Sequence, residues 1–182
     1  MSFRALSKLP FRKAVWLLPL CWTLHEAEEW NIMDWFHRYW VNVPDVTPVE
    51  MRTGLVLMSL IGVIGTACIL VFRSPRVTAL LALPFFALLG LGNAFQHIYW
   101  VFAFGAYSPG VVTSVLLVIP SFVYLAVRAT RDGLIPRWFA ALVFVPAARA
   151  VYFAVQDGNE VPEAVHGLTR IFATLARLVG VQ

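Results

Sequence analysis

The sequence predicts an all-α protein, an integral membrane bundle of about five transmembrane helices followed by a C-terminal amphipathic helix. Three observations carry that expectation. Of 182 residues, 60% are hydrophobic and only 13% charged, and the mean hydropathy of +0.75 exceeds what a soluble domain with a polar surface reaches. The charges stand in short clusters separated by uncharged runs close to the length that crosses a bilayer core, about 20 helical residues. Helix-start signals mark the edges of several of those runs. A single membrane-embedded domain is expected over 1–182, without internal repeats, because five spans and their loops leave no room for a second unit.

Residues 1–13 form a basic arm carrying Arg4, Lys8, Arg12 and Lys13. The apolar stretch behind it has no small-residue cleavage site, so it reads as a retained first span over roughly 14–30 rather than a removed signal. Span two is "GLVLMSLIGVIGTACILVF" (54–72). Before it, "TPVE" (47–50) offers Thr47 as N-cap, Pro48 at the first helical position and Glu50 to close a capping box. Span three lies in the uncharged run 77–106, after "SPR" (74–76), and span four in 111–127, after "SPG" (108–110). Span five, 138–155, is interrupted by Arg149. Pro84, Pro120 and Pro146 fall inside spans, where they kink a helix and free carbonyls. The tail, 156–182, is too polar to cross. Its apolar positions 165, 168, 172, 175 and 179 alternate at helical spacing with His166, Arg170 and Arg177, which predicts an interfacial amphipathic helix.

Direction follows from lysine and arginine. The arm, the pair Arg73 and Arg76, and the trio Arg128, Arg131 and Arg137 share one side, while the opposite loops are charge-balanced or neutral. The amino terminus is therefore expected in the cytoplasm and the bundle in the cell (inner) membrane. The same clustering argues against nucleic acid as a partner, since the net charge of +4 is a topology signal rather than a binding face. Cys21 and Cys68 lie in apolar runs and carry no redox message.

Polar residues collect at one depth. At a rise of about 1.5 Å per residue, His25 lies about 20 Å and Glu29 about 25 Å above Arg12, Asn93 about 25 Å above Arg76, and Arg149 about 20 Å above Pro136. His97 comes near the outer edge of span three. Within "LHEAEEW" (24–30), His25, Glu28 and Glu29 share a helix face and Glu26 is turned away by about 100°. Tyr107 to Gly110 open span four at the same level, with free N–H groups and a positive helix end available to an anion.

"HEAEE" (25–29) is H-x-x-E-E, "NAFQH" (93–97) is N-x-x-x-H and "YSPG" (107–110) is Y-x-P-G, in that order. The sequence thereby resembles the HXXEE family of small integral membrane proteins over roughly residues 14–130. The resemblance implies a membrane-embedded protein and suggests a metal-dependent enzyme. It points to His25, Glu28 and Glu29, then Asn93 and His97, then Tyr107, Pro109 and Gly110.

Adjacent carboxylates in a poorly hydrated layer need an offsetting charge. A divalent metal is one answer: imidazoles of His25 and His97 with carboxylates of Glu28 or Glu29 suit zinc, iron or manganese. Asn93 would then be a ligand, an orienting group or a substrate partner. Arg149 would face Glu28 or Glu29 or an anionic headgroup, or form a structural pair or snorkel. Tyr107 would donate to a developing oxyanion or anchor the interface. The catalytic candidates are thus Glu28, Glu29, Asn93, Tyr107 and Arg149. A metal-free acid–base pair of Glu and His is an alternative, as is a plain helix end with charges in headgroups and Trp30 and Trp35 at the interface. "EAVH" (163–166) has carboxylate–histidine spacing but falls on the polar face of the tail, so whether Glu163 and His166 join the site stays open. His37 and Arg38 are read as loop residues.

The resulting expectation is a metal-dependent membrane enzyme, a hydrolase, isomerase or oxygenase type, acting on a lipid or other apolar small molecule in the outer half of the bundle. A metal-free acid–base lipid isomerase or cyclase, and a small proton- or ion-coupled transporter, are the alternatives.

Overall fold

The structure, a computed structural model, describes residues 9–178 and 180. Arg4 and Lys8 of the basic arm and residues 179, 181 and 182 of the tail lie outside them. Among the described residues every regular element is helical, and the connections add an isolated parallel bridge between Val41 and Glu160. Among the described residues, four helices are long and apolar enough to cross a membrane: Pro48–Val71, Pro75–Phe104, Val111–Arg131 and Arg137–Asp157. They coincide with expected spans two to five.

The first span is shorter and broken. Helix α1 (Phe11–Ala14) and helix α2 (Leu17–Glu28) are separated at Val15 and Trp16. Pro19 has no N–H to give the Val15 carbonyl, which instead accepts from Leu18 N at 3.1 Å, a tighter turn. The stretch 31–46, expected as loop, holds helix α3 (Ile32–Tyr39). Ile32, Met33, Trp35 and Phe36 bury one face of it while Asp34, His37 and Arg38 point out. Trp35 is therefore a core residue, not an interfacial one.

Helix α4 (Pro48–Val71) begins with the expected capping box: Glu50 N donates to Thr47 Oγ1 at 3.2 Å and Thr47 N to Glu50 Oε2 at 2.8 Å. Span three comprises α5 (Pro75–Phe86), a π-turn at Ala87–Leu91 and α6 (Gly92–Phe104). Span four comprises α7 (Val111–Thr113), a second π-turn at Ser114–Val118 and α8 (Ile119–Arg131). Each π-turn adjoins an intrahelical proline, Pro84 or Pro120, whose missing N–H and bulky ring forbid a regular i to i−4 ladder. Span five is α9 (Arg137–Leu142) and α10 (Val145–Asp157), interrupted at Val143 and Phe144, so Pro146 starts a helix instead of kinking one.

Two cores result. One packs Phe11, Leu18 and Trp22 of the first span against Leu83 and Phe86 of α5 and Phe122 and Leu125 of α8, with Ala79, Ala82, Ala126 and Ala129 letting the backbones approach. The other is an aromatic cap of Trp35, Phe36, Trp40 and Trp100, closed by Val161 and by Phe172 of helix α11 (Glu163–Leu178). The tail helix thus docks on protein: the Phe172 ring occupies the place of a Cβ on Gly54, and Arg177 reaches Glu50 at 3.5 Å. At the end away from the cap, Arg12 donates to the Leu70 carbonyl at 2.5 Å, and Arg128 pairs with Asp132 and donates to the Leu9 carbonyl. The starts and ends of spans one, two and four that carry the basic clusters therefore share an end.

Candidate metal centre

Between those two cores, spans one, three and four bring their polar side chains together. His25 and Glu29 sit four residues apart at the end of α2, so both reach the same point, and Glu29 Oε1 lies 2.9 Å from His25 Nε2. His97 of α6 arrives from the other side, with its Nε2 at 2.7 Å from the same oxygen. Asn93, one turn before His97, places Oδ1 at 2.6 Å from His25 Nε2. Both imidazoles are fully buried and Glu29 is 5% exposed. One ligand atom from each of His25, Glu29 and His97 falls within 4.8 Å of the others.

The far side of each ring is held by a hydroxyl, Thr113 Oγ1 at 2.9 Å from His25 Nδ1 and Ser108 Oγ at 3.0 Å from His97 Nδ1. Thr113 fixes a proton. Its hydroxyl donates to Glu28 Oε2 at 2.5 Å, so toward His25 it accepts, and Nδ1 of His25 carries the hydrogen. In a neutral His25 ring the Nε2 lone pair then faces Glu29 Oε1 and Asn93 Oδ1, both acceptors. Glu29 Oε1 and His97 Nε2, although 2.7 Å apart, are buried without a hydrogen bond of acceptable direction. Lone pairs converging on one buried point call for a cation among them, a second proton on an imidazole or a divalent metal. The N/O donor set and the Nδ1 partners match what a metal-binding histidine pair requires.

Glu28 leaves the group it was expected to join. Positions three and four after His25 flank its direction on opposite sides, so Glu29 turns toward span three and Glu28 toward span four. There the Glu28 oxygens accept from Tyr107 Oη at 2.6 Å, Val112 N at 3.1 Å, Thr113 N at 2.7 Å and Thr113 Oγ1. The anion expected at the start of span four is thus this side chain, capping orphan N–H groups at a positive helix end. Ser108, read in the sequence as a helix-start residue, serves His97 instead. Tyr107 is 56% exposed, and its hydroxyl is pushed up to about 12 by partial burial and by the Glu28 carboxylate it donates to. It holds Glu28 and touches none of the ligand atoms.

Gly110 roofs the centre. Its φ of +94° suits glycine, and a Cβ there would stand 2.8 Å from His25 Cε1 and 3.0 Å from both Glu29 Oε1 and His97 Cε1. Both π-turns border the site, one before Asn93 and the other after Thr113.

Arg149 does not reach the site. Helix α10 presents Pro146, Ala147 and Ala150 to Gly92 of span three, and Ala150 O accepts from Gln96 Nε2 at 3.2 Å. Arg149, about 100° away from Ala150 around the helix, is exposed and stacks over Phe153 at 5.0 Å. Glu163 is exposed and His166 half-buried on α11, and neither belongs to the ligand group. Glu26 is buried at 5% exposure, off the site face, and makes none of these hydrogen bonds. Sequence reading missed Thr113 and Ser108 as ring-holding groups. The signal for Thr113 was a hydroxyl in the first turn of a span facing a carboxylate-rich helix end.

No curated protein and no solved structure matches the chain. A family model described as "Protein of unknown function with HXXEE motif" matches residues 16–125. That segment holds all three residues of the His25, Glu29 and His97 group, the Glu28 clamp and the glycine roof, and with it the chain belongs to the HXXEE family.

Proposed function

We propose that this protein is a membrane enzyme that holds one divalent metal ion between His25, Glu29 and His97 and acts on a lipid or other apolar small molecule. One observation supports this above the others: Glu29 Oε1 and His97 Nε2 are buried side by side without directed hydrogen bonds, beside a His25 Nε2 whose ring proton is held elsewhere. Zinc, iron and manganese accept such a donor set. The metal, when bound, supplies a Lewis acid that polarises a substrate oxygen.

The chain's own residues do the rest. Thr113 and Ser108 hold the two rings in orientation through Nδ1. Asn93, half-buried at the edge of the ligand group, orients His25 and offers an amide to a substrate. Glu28 ties the 107–113 segment over the centre, and Tyr107 Oη, protonated up to about 12, acts there as a donor and not as a base. The buried position of the centre keeps bulk water from it and admits apolar substrates in preference to polar ones.

The metal-free acid–base reading is favoured by the way the two imidazoles straddle a single carboxylate oxygen, at 2.9 and 2.7 Å. Elemental analysis of detergent-purified protein separates the two. About one zinc, iron or manganese per chain is expected in wild type, lost in His25→Ala and Glu29→Gln and retained in Glu28→Gln. A metal-free wild type prepared without chelator moves the assignment to acid–base catalysis. A transporter is less well supported: among the described residues Thr66 and Thr78, buried away from the centre, spend their hydroxyls on their own helix carbonyls at Gly62 and Ser74.

A further inference from the structure

A second feature lies at the opposite end of the bundle. Between α8 and α9 the structure holds a crevice of about 640 Å³, lined by Val123, Ala126, Val127, Ala140, Ala141 and Phe144 and ending at Thr130, Arg131 and Arg137. Its floor is apolar and its rim carries two guanidiniums. Thr113 at the metal centre and Arg131 at this rim are 18 residues apart on one span, about 27 Å along a helix, so the two sites occupy opposite leaflets.

Neither guanidinium has a carboxylate partner among the described residues. The nearby acid, Asp132, pairs with Arg128 at 3.4 Å. Trp138, 68% exposed beside Arg137, marks the level of the interface. From Arg131 down to Val123 the groove descends about 12 Å, close to the thickness of one leaflet, about 15 Å. Val123 and Val127 are exposed along it, so it opens sideways to lipid. A cation pair at headgroup depth above an apolar slot of acyl-chain length is complementary to an anionic amphiphile.

We infer that this crevice binds an acidic phospholipid, its phosphate between Arg131 and Arg137 and one acyl chain along Val123, Val127 and Ala141. Phe144, in the α9–α10 break, meets Phe122 of span four edge-to-face at 5.5 Å, so the lipid lies along a seam where the two spans already touch.

The test uses the full chain reconstituted in nanodiscs of equal phosphatidylglycerol and phosphatidylcholine, re-extracted in mild detergent, with co-purifying lipid quantified by mass spectrometry. Wild type is expected to retain phosphatidylglycerol about tenfold over phosphatidylcholine. The double variant Arg131→Gln with Arg137→Gln should bring that ratio near one. Arg149→Gln, a lipid-facing guanidinium outside the crevice, should leave it unchanged. Ala141→Trp, which fills the slot at an exposed position, should lower total retained lipid several-fold with both arginines present. An undiminished ratio in the double variant overturns the inference, as does displacement of the lipid by millimolar inorganic phosphate, which would mark a phosphate site without an acyl component. Should the double variant fail to fold, undiminished lipid retention in Ala141→Trp overturns it alone.

Discussion

Glu28 and Glu29 are chemically identical neighbours with different tasks, and the difference comes from what each meets. Glu29 meets two imidazoles in a dry layer, whereas Glu28 meets four donors at a helix start. Tyr107 belongs to that second set, which determines its pH behaviour. Its folded midpoint, about 12, lies above the ordinary value of 10, so its contribution to stability is complete below pH 10 and is lost as pH rises from 10 to 12. Difference titration of phenolate absorbance between wild type and Tyr107→Phe should show a midpoint near 12, and a midpoint near 10 would dissolve the Tyr107–Glu28 contact. At this scale the sequence was legible where spacing alone decides geometry. His25 and Glu29 share a face because they are four apart, and Asn93 and His97 for the same reason. It was not legible where a partner decides: the direction of Glu28 depends on where span four begins, and that of Arg149 on which side of α10 packs against span three. Ser and Thr hydroxyls leave little trace in a sequence, since most of them bond their own helix.

Helices rather than residues set the register of the centre. The uncharged runs located spans two to five because bilayer thickness and helical rise leave little freedom. The break in span one and the helix at Ile32–Tyr39 were harder to see, the first because it hangs on one missing donor at Pro19, the second because eight residues with mixed charge resemble a loop until the face that Trp35 and Phe36 bury is known. The π-turns matter most. Each inserts a residue into a helix and rotates the side chains downstream of it by about 100° around the axis. Deleting Leu88, which is 75% exposed and contributes to neither core, should relax Ala87–Leu91 to an α-helix without loss of helical content by circular dichroism. It would also swing Asn93 and His97 off the centre, and bound metal should fall below a tenth of the wild-type amount. Full metal content in the deletion variant would show that the turn has no part in placing those residues.

As a whole, the molecule is a bundle with a tight alanine-lined core toward its basic end, an aromatic cap at the other and a polar layer between. Charge clustering made the two ends distinguishable in the sequence, and the shared end of Arg12 and Arg128 agrees with it. The docking of α11 on Gly54 was hidden, because an amphipathic pattern reports that one face is covered and not by what. The sandwich arrangement also places Trp22 and Trp100 against the two ligand rings, at centroid distances of 5.3 Å from His25 and 4.9 Å from His97. The centre therefore comes with its own optical reporter: iron(II) or manganese(II), with unpaired electrons, should quench tryptophan emission on loading, while closed-shell zinc should leave it bright. Titrating the metal-depleted protein with each ion and following fluorescence would test this without any knowledge of the substrate, and unchanged emission on loading with iron(II) or manganese(II) would mean that they bind elsewhere.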